Sequence, residues 1–362
     1  MASLAWLRTC IRCGWIGLAS AACSFDSSGG SGGSDGSSGS ESSAGATLTT
    51  TTNTATTAGT TASDSSGSGD GPTSGATTTT DPSGSSSSDG ADGSSSTGVP
   101  TGDFGEPIAV DALNSESDDD DATLSTDMLE VYFASTRLGN EDIFVAHRGS
   151  VTEDFDEPVR VDELSSTFVD STPELSFDGL TMTVTSDRPG TLGGLDVWVS
   201  TRDNRDDAWS NPTHIGELST IANEGSVVLT GDLLTVYLCE SGDPPDYDQI
   251  VFATREHTGD AFGAPAVFAD LNADGRDCTP FVVADNTELW WASTRAGGEG
   301  AEDIWRIDLV DGLPSGTAEV IDEVNDDSRD EDPWVSPDGA TLFFSSTRAG
   351  MGGQDIYMAM RQ

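Results

Sequence analysis

From Phe104 onward, apolar and polar residues alternate in short runs closed by turn residues, and no segment sustains the spacing of an amphipathic helix. The last such unit serves as a template. Trp334-Val335-Ser336 leads into Pro337-Asp338-Gly339, a turn in which Pro presets the backbone and Gly accepts a positive φ. Thr341-Leu342-Phe343-Phe344-Ser345 then predicts a strand. After a glycine-rich loop over 349–353, Asp355-Ile356-Tyr357-Met358-Ala359-Met360 predicts another. A fourth element recurs upstream as an aromatic residue, Pro three positions on, and alternating apolar residues: Phe155 to Val161, Trp209 to Ile215, Phe262 to Phe268. Proline is tolerated there because an outer edge strand forfeits no ladder hydrogen bond.

The unit repeats five times, marked by Asp142-Ile143-Phe144, Asp196-Val197-Trp198, Asp248-Gln249-Ile250, Asp303-Ile304-Trp305 and Asp355-Ile356-Tyr357, at spacings of 54, 52, 55 and 52 residues. Repeats of this length stack on one another to bury a continuous core. Four short strands per unit predict an all-β fold, a five-bladed β-propeller with four antiparallel strands per blade. Phe104 to Val110 is a fourth-type strand with no strands before it, and the chain stops after a third-type strand. The ring is therefore expected to close by strand 104–110 joining the outer edge of the last blade, antiparallel to 357–360, with Phe104, Ile108 and Val110 supplying apolar contacts.

Ser336-Pro337-Asp338-Gly339, Phe344-Ser345-Ser346-Thr347-Arg348 and Gly353-Gln354-Asp355-Ile356-Tyr357 resemble the WD-repeat-like propeller repeat of bacterial envelope proteins, the TolB-like propellers. The resemblance covers 104–361, strongest in the second and fifth repeats and weakest in the third. It implies a periplasmic or surface-exposed binding platform. That family carries six blades and an additional α/β domain, whereas this chain has five repeats.

Ahead of the repeats the composition changes twice. Residues 1–22 carry Arg8 and Arg12 and a short apolar run, the pattern of a signal peptide. The run ends in Leu18-Ala19-Ser20-Ala21-Ala22-Cys23, which resembles a lipoprotein cleavage site with Ser20 in place of the usual Leu. Cys23 is the expected lipidation site, and an ordinary small-residue cleavage site is the alternative. Residues 23–102 are Ser, Gly, Thr, Ala and Asp almost throughout, too poor in apolar area to offset the entropy of ordering, and read as a disordered tether. The domain at 103–362 holds 55 acidic and 13 basic residues, and the chain has no Lys. So acidic a surface disfavours nucleic acid and favours cations or basic proteins, although acidity alone also serves solubility.

Within the domain, Asp119, Asp170, Glu224, Asp277 and Asp330 hold one repeat position just before each innermost strand. They are expected either to ring one mouth of the central channel or to set the turn into each blade. Asp270, Asn272 and Asp274, with Asp277, match the first half of a calcium loop, but Phe281 stands where a bidentate Glu belongs, and a solvated acidic loop reads equally well. Arg137, Arg188, Arg295 and Arg348 share one position after the second strand and are expected to be structural clamps, onto the repeat Asp such as Asp355. The third repeat has Gly242 there, predicting its loosest loop. Cys239 and Cys278 fall on one face of adjacent blades and could pair in an oxidising compartment. His147, His214 and His257 occupy non-equivalent positions, against a histidine metal centre.

No nucleophile, phosphate loop or cofactor fingerprint is present, and calcium is the sole cofactor the sequence suggests. The expected protein is an exported outer-membrane lipoprotein whose monomeric, non-catalytic propeller binds an envelope protein or a cationic ligand. The alternative is a carbohydrate-active enzyme of the glycosidase type, with two channel carboxylates in different environments.

Overall fold

The computed structural model describes residues 102–362 apart from 242–247, 270, 274 and 311. The signal segment, Cys23, the tether and the loop after Gly242 lie outside the described residues. Among the described residues there is no helix, and five four-stranded antiparallel sheets form the blades of a β-propeller. Blade 1 runs β2 (Asp119–Leu124), β3 (Glu130–Ser135), β4 (Asp142–His147) and β5 (Val159–Arg160). Blade 2 is β6 (Asp170–Leu175), β7 (Thr181–Ser186), β8 (Asp196–Thr201) and β9 (Thr213–His214). Blade 3 is β10 (Glu224–Leu229), β11 (Thr235–Glu240), β12 (Gln249–Thr254) and β13 (Ala266–Val267). Blade 4 is β14 (Asp277–Val282), β15 (Glu288–Ser293), β16 (Asp303–Val310) and β17 (Leu313–Val320).

Blade 5 combines both ends of the domain. Its order is β1 (Ile108–Ala109), β20 (Asp355–Met360), β19 (Thr341–Ser346), β18 (Asp330–Val335), with Ile108 opposite Met358 and Ala109 opposite Tyr357. Closure occurs as the sequence predicts, and of the three residues expected to pack, Phe104 and Val110 do and Ile108 does not. Ile108 points outward at 55% exposure, while Phe104 is buried, edge-on to Trp290 of blade 4 at 6.1 Å, with the Arg361 guanidinium 4.2 Å above its ring. In a two-residue strand on an outer edge, alternation leaves only one face toward the neighbouring blade.

The repeat marker also shifts in blade 3. Pairing there begins at Gln249 opposite Glu240, so Gln249 matches Asp142, and Asp248 matches Glu141, Leu195, Glu302 and Gln354. Two polar residues in succession hide this offset in the sequence.

The first hairpins of blades 1, 2, 3 and 5 turn by one device, a Ser or Thr hydroxyl whose place Val283 takes in blade 4. Ser336 Oγ donates to Asp338 (2.6 Å) and accepts the Thr341 N–H (2.9 Å), while Gly339 takes φ 68°. Met128 and Leu233 adopt the same left-handed conformation in blades 1 and 3, where a side chain costs about 1 kcal/mol. The marker Asp residues fold the glycine-rich loops inward. Gly352 N–H donates to Asp355, and a Cβ on Gly352 would lie 2.0 Å from the Ser117 carbonyl oxygen of the next blade. Only glycine allows that approach.

Candidate functional site at the channel

The five acids singled out from the sequence stand at the first position of the five inner strands, with side chains no more than 1% exposed. Their carboxylates are used inside the blades. Asp119 accepts bonds from Ser135 Oγ (2.5 Å) and Arg137 (2.5 Å), and its second oxygen takes the Ser115 N–H (2.6 Å). Asp170 pairs with Ser186 and Arg188, Asp277 with Arg295, and Asp330 with Ser346 and Arg348 (2.6 Å). The acids and the arginines are thus each other's partners. The clamp closes on the inner-strand acid rather than on the third-strand Asp expected from the sequence.

Each of these guanidiniums also binds the second-strand Ser hydroxyl and a carbonyl of the segment entering the blade: Leu113, Leu164, Leu271 and Val324. Aromatic rings flank it. Arg348 lies 5.1 Å from the Phe344 centroid and 5.2 Å from that of Tyr357. Planar, multidentate and weakly hydrated, Arg suits this position where Lys would not.

Blade 3 departs from the scheme. Its acid is Glu224, which takes Thr220 N–H (2.9 Å) and Oγ1 (2.6 Å) on one oxygen, while Oε2 has no hydrogen-bond partner. Burial pushes this carboxyl up to about 7 despite the Thr220 bonds. The blade is tied instead by the Cys239–Cys278 disulfide, which joins β11 to β14 of blade 4 with Cα atoms 5.0 Å apart. That pairing was one of the sequence's open alternatives. Of the half calcium loop, Asp270 and Asp274 lie outside the described residues. Asn272 has its amide on the Ile250 backbone (2.8 and 2.9 Å), and Asp277 accepts the Ala273 N–H (2.7 Å) beside Arg295.

The side chains at the channel come one and two positions later. Every inner strand carries a bulge, with two residues opposite one between Asp120 and Thr123 and at the four equivalent places. The bulged residue is left-handed in all five: Asp121 (φ 54°), Thr172 (44°), Ser226 (42°), Thr279 (51°) and Asp332 (56°). These five line a narrow cavity of about 50 Å³ together with Asp248, Arg276 and Glu331, among others. Of the five sequence-singled acids only Glu224 reaches it.

Around this cavity the acids outnumber the bases. Asp120, Asp121 and Glu141 bring carboxylate oxygens within 4.8 Å of one another, a set that could hold a divalent cation. Glu141 accepts Ser171 Oγ (2.5 Å), linking blades 1 and 2. Arg276 bridges Asp248 (2.7 Å), Glu302 and Glu331 (3.3 Å), and Arg329 approaches Glu302 (3.6 Å) and Glu331 (3.3 Å). Burial alone would lower the Arg276 guanidinium, but the three carboxylates hold it above its usual value. Burial, and then Glu331, push Glu302 up to about 7 against the pull of both arginines. On β6, desolvation and then Asp121 raise the Glu174 carboxyl well above its ordinary value.

Sequence reading missed this layer because a left-handed Asp or Thr inside a strand has no signature of its own. The recurring acid at the strand start drew attention one residue too early. The other potential ligand set among the described residues, Cys239, Asp248 and Cys278, loses both sulfurs to the disulfide.

No protein-family model matches the chain, and no curated protein matches it. Solved structures similar to it include a protein assigned as TolB from Agrobacterium tumefaciens (16% identity, 67% of this chain and 77% of that one, TM-score 0.42). TolB from Acinetobacter baumannii is 17% identical over 56% of this chain and 45% of that one, TM-score 0.35. An α-L-arabinofuranosidase from Lactobacillus brevis is 14% identical over 70% of this chain and 93% of that one, TM-score 0.47. Structural neighbours thus include TolB-like propellers and glycosidases alike, and the choice between them rests on the residues of this chain.

Proposed function

We propose that this propeller is a non-catalytic binding platform whose acidic channel mouth receives a cationic group, the basic segment of an envelope protein or a basic ligand. We propose further that the chain is exported and held at the envelope by a lipid on Cys23. One observation carries the reading: five carboxylates, of Asp121, Glu224, Asp248, Glu331 and Asp332, line the cavity with the Arg276 guanidinium, and Asp120, Glu141, Glu302 and Arg329 add three carboxylates and one guanidinium against them. The excess negative field attracts cations and is screened by salt. The cavity, at about 50 Å³, admits a side chain or an ion rather than a sugar ring.

Titrating a labelled oligo-arginine peptide onto the protein tests this. Saturable binding that weakens steeply with salt, and that Asp121→Asn with Glu141→Gln reduces, supports the platform. Equal binding by wild type and double variant contradicts it. A second reading has one feature of its own: the Glu174 carboxyl, raised above its ordinary value by desolvation and by Asp121, has the direction of shift that a proton donor in glycoside hydrolysis needs. Turnover of a chromogenic arabinofuranoside that Glu174→Gln abolishes would establish that reading in place of the first.

A further inference from the structure

Four of the five joints between blades carry an aromatic residue at one position of the second strand, and the joint between blades 2 and 3 does not. At the joint of blades 1 and 2, Tyr132 of β3 packs edge-on to Trp209 of the next blade at 5.9 Å. Glu130, two residues earlier, binds Arg202, which lies 4.4 Å over the Trp209 ring. The aromatic recurs in register as Tyr237, Trp290 and Phe343 on β11, β15 and β19, all buried. On β7 the same two positions are Thr181 and Thr183. Thr183 Oγ1 turns to the Val227 carbonyl (2.6 Å), and among the described residues no second-strand ring fills the space beyond it.

The outcome is a cleft of about 390 Å³, within the range of small-molecule sites. Its walls include Val199, Leu218, Val227 and Val236, and Phe262 of blade 3 stands at one side. Phe262 is only half-buried, whereas its equivalents Phe104, Phe155 and Trp209 are each 6% exposed. Arg255 lies 4.3 Å over Phe262 as Arg202 lies over Trp209, but Thr181 stands where Glu130 does, as Thr341 does at the joint where Arg148 lies over Phe155. Its Nε donates to the Leu233 carbonyl (2.8 Å) and Nη1 reaches the Asp260 carbonyl at 3.4 Å, while the Asp260 carboxylate is engaged by His257 at 2.9 Å.

We infer that the cleft between blades 2 and 3 is a binding site for a small aromatic carboxylate. The ring takes the volume that Tyr132 fills at the preceding joint, against Phe262 and the valines. The carboxylate takes the place of Glu130 on the Arg255 guanidinium in a charge-assisted contact, in a lining that also carries Glu217, His214 and Asp260. The molecule's own repeats are the template for the ligand, and the cleft is lined by residues other than those of the channel cavity.

Calorimetric titration of the full chain with 4-hydroxyphenylacetate tests it, with tyramine, the matching amine, as control. Saturable binding of the acid and none of the amine is expected. Thr183→Tyr supplies the missing ring from within, and should weaken the acid's binding by about tenfold or more while raising Tm. Arg255→Gln should weaken the acid by a similar factor with the fold retained by circular dichroism. Absence of saturable binding at millimolar acid, or binding unchanged by both variants, overturns the assignment. Should Thr183→Tyr fail to fold, Arg255→Gln alone decides it.

Discussion

Removing residues 103–112 from the domain while keeping the tether should open the ring at blade 5. The segment contributes Phe104, whose burial stabilises by roughly 1.5 to 3 kcal/mol. Its ring also carries the Arg361 guanidinium at 4.2 Å, worth about 0.5 to 1 kcal/mol more. Gly105 N–H donates to the Met360 carbonyl (2.8 Å) and Val110 N–H to the Ile356 carbonyl (2.9 Å), at about 1 kcal/mol each. Together the loss is about 5 kcal/mol, against the ~5 to 15 kcal/mol that typically holds a domain folded. At ~2 to 4 °C per kcal/mol for a domain of this size, Tm should fall by about 10 to 20 °C. Scanning calorimetry of this truncation beside one lacking residues 24–100 separates closure from mere shortening. The tether deletion should melt like wild type. If the two truncations melt alike, the closing strand does not hold the ring.

Three further outcomes follow from the blade interiors. Arg348→Ala leaves Asp330 buried without its cation and should cost about 3 to 5 kcal/mol in urea unfolding, whereas a surface arginine would cost under 1. Cys239→Ala with Cys278→Ala opens a cross-link spanning 39 residues and should cost about 4 kcal/mol by loop entropy; a midpoint unchanged by the double variant would contradict the bond. Glu224 ionises near 4.5 when unfolded and near 7 when folded, so the folded state holds an extra proton across that window. Its contribution therefore falls as pH rises from 4.5 to 7, by roughly 3 kcal/mol at full effect. Glu224→Gln should melt above wild type at pH 8 and level with it at pH 4, and a constant offset across that range would refute the assignment.

Blade number, strand count and ring closure could be read from the sequence because turn residues, strand alternation and the Pro-bearing outer strand recur with little drift. The Asp and Arg repeats were visible too, but not that they bind one another, since eighteen residues separate Asp330 from Arg348 and only the hairpin brings them together. What escaped was the channel. Asp121 and Asp332 face it through a bulge that shifts side-chain register by one, and periodicity alone cannot show where a strand breaks its own alternation. The joint of blades 2 and 3 escaped for a different reason: Thr183 is a good strand residue, and its smallness matters only once Phe262 is seen facing it.

Asp119 is bonded inside its blade while Asp121 lines the cavity proposed to receive a cation, and paired substitutions at these neighbouring positions test that division directly. Asp119→Asn and Asp121→Asn should be compared by thermal melt and by oligo-arginine affinity on the folded protein. Asp119→Asn should lower Tm and leave affinity unchanged, because its carboxylate is enclosed by Ser135 and Arg137. Asp121→Asn should weaken binding with little change in Tm, since Asn accepts the same left-handed backbone at φ 54°. The reverse pattern, with Asp119 governing affinity and Asp121 governing stability, would contradict the account.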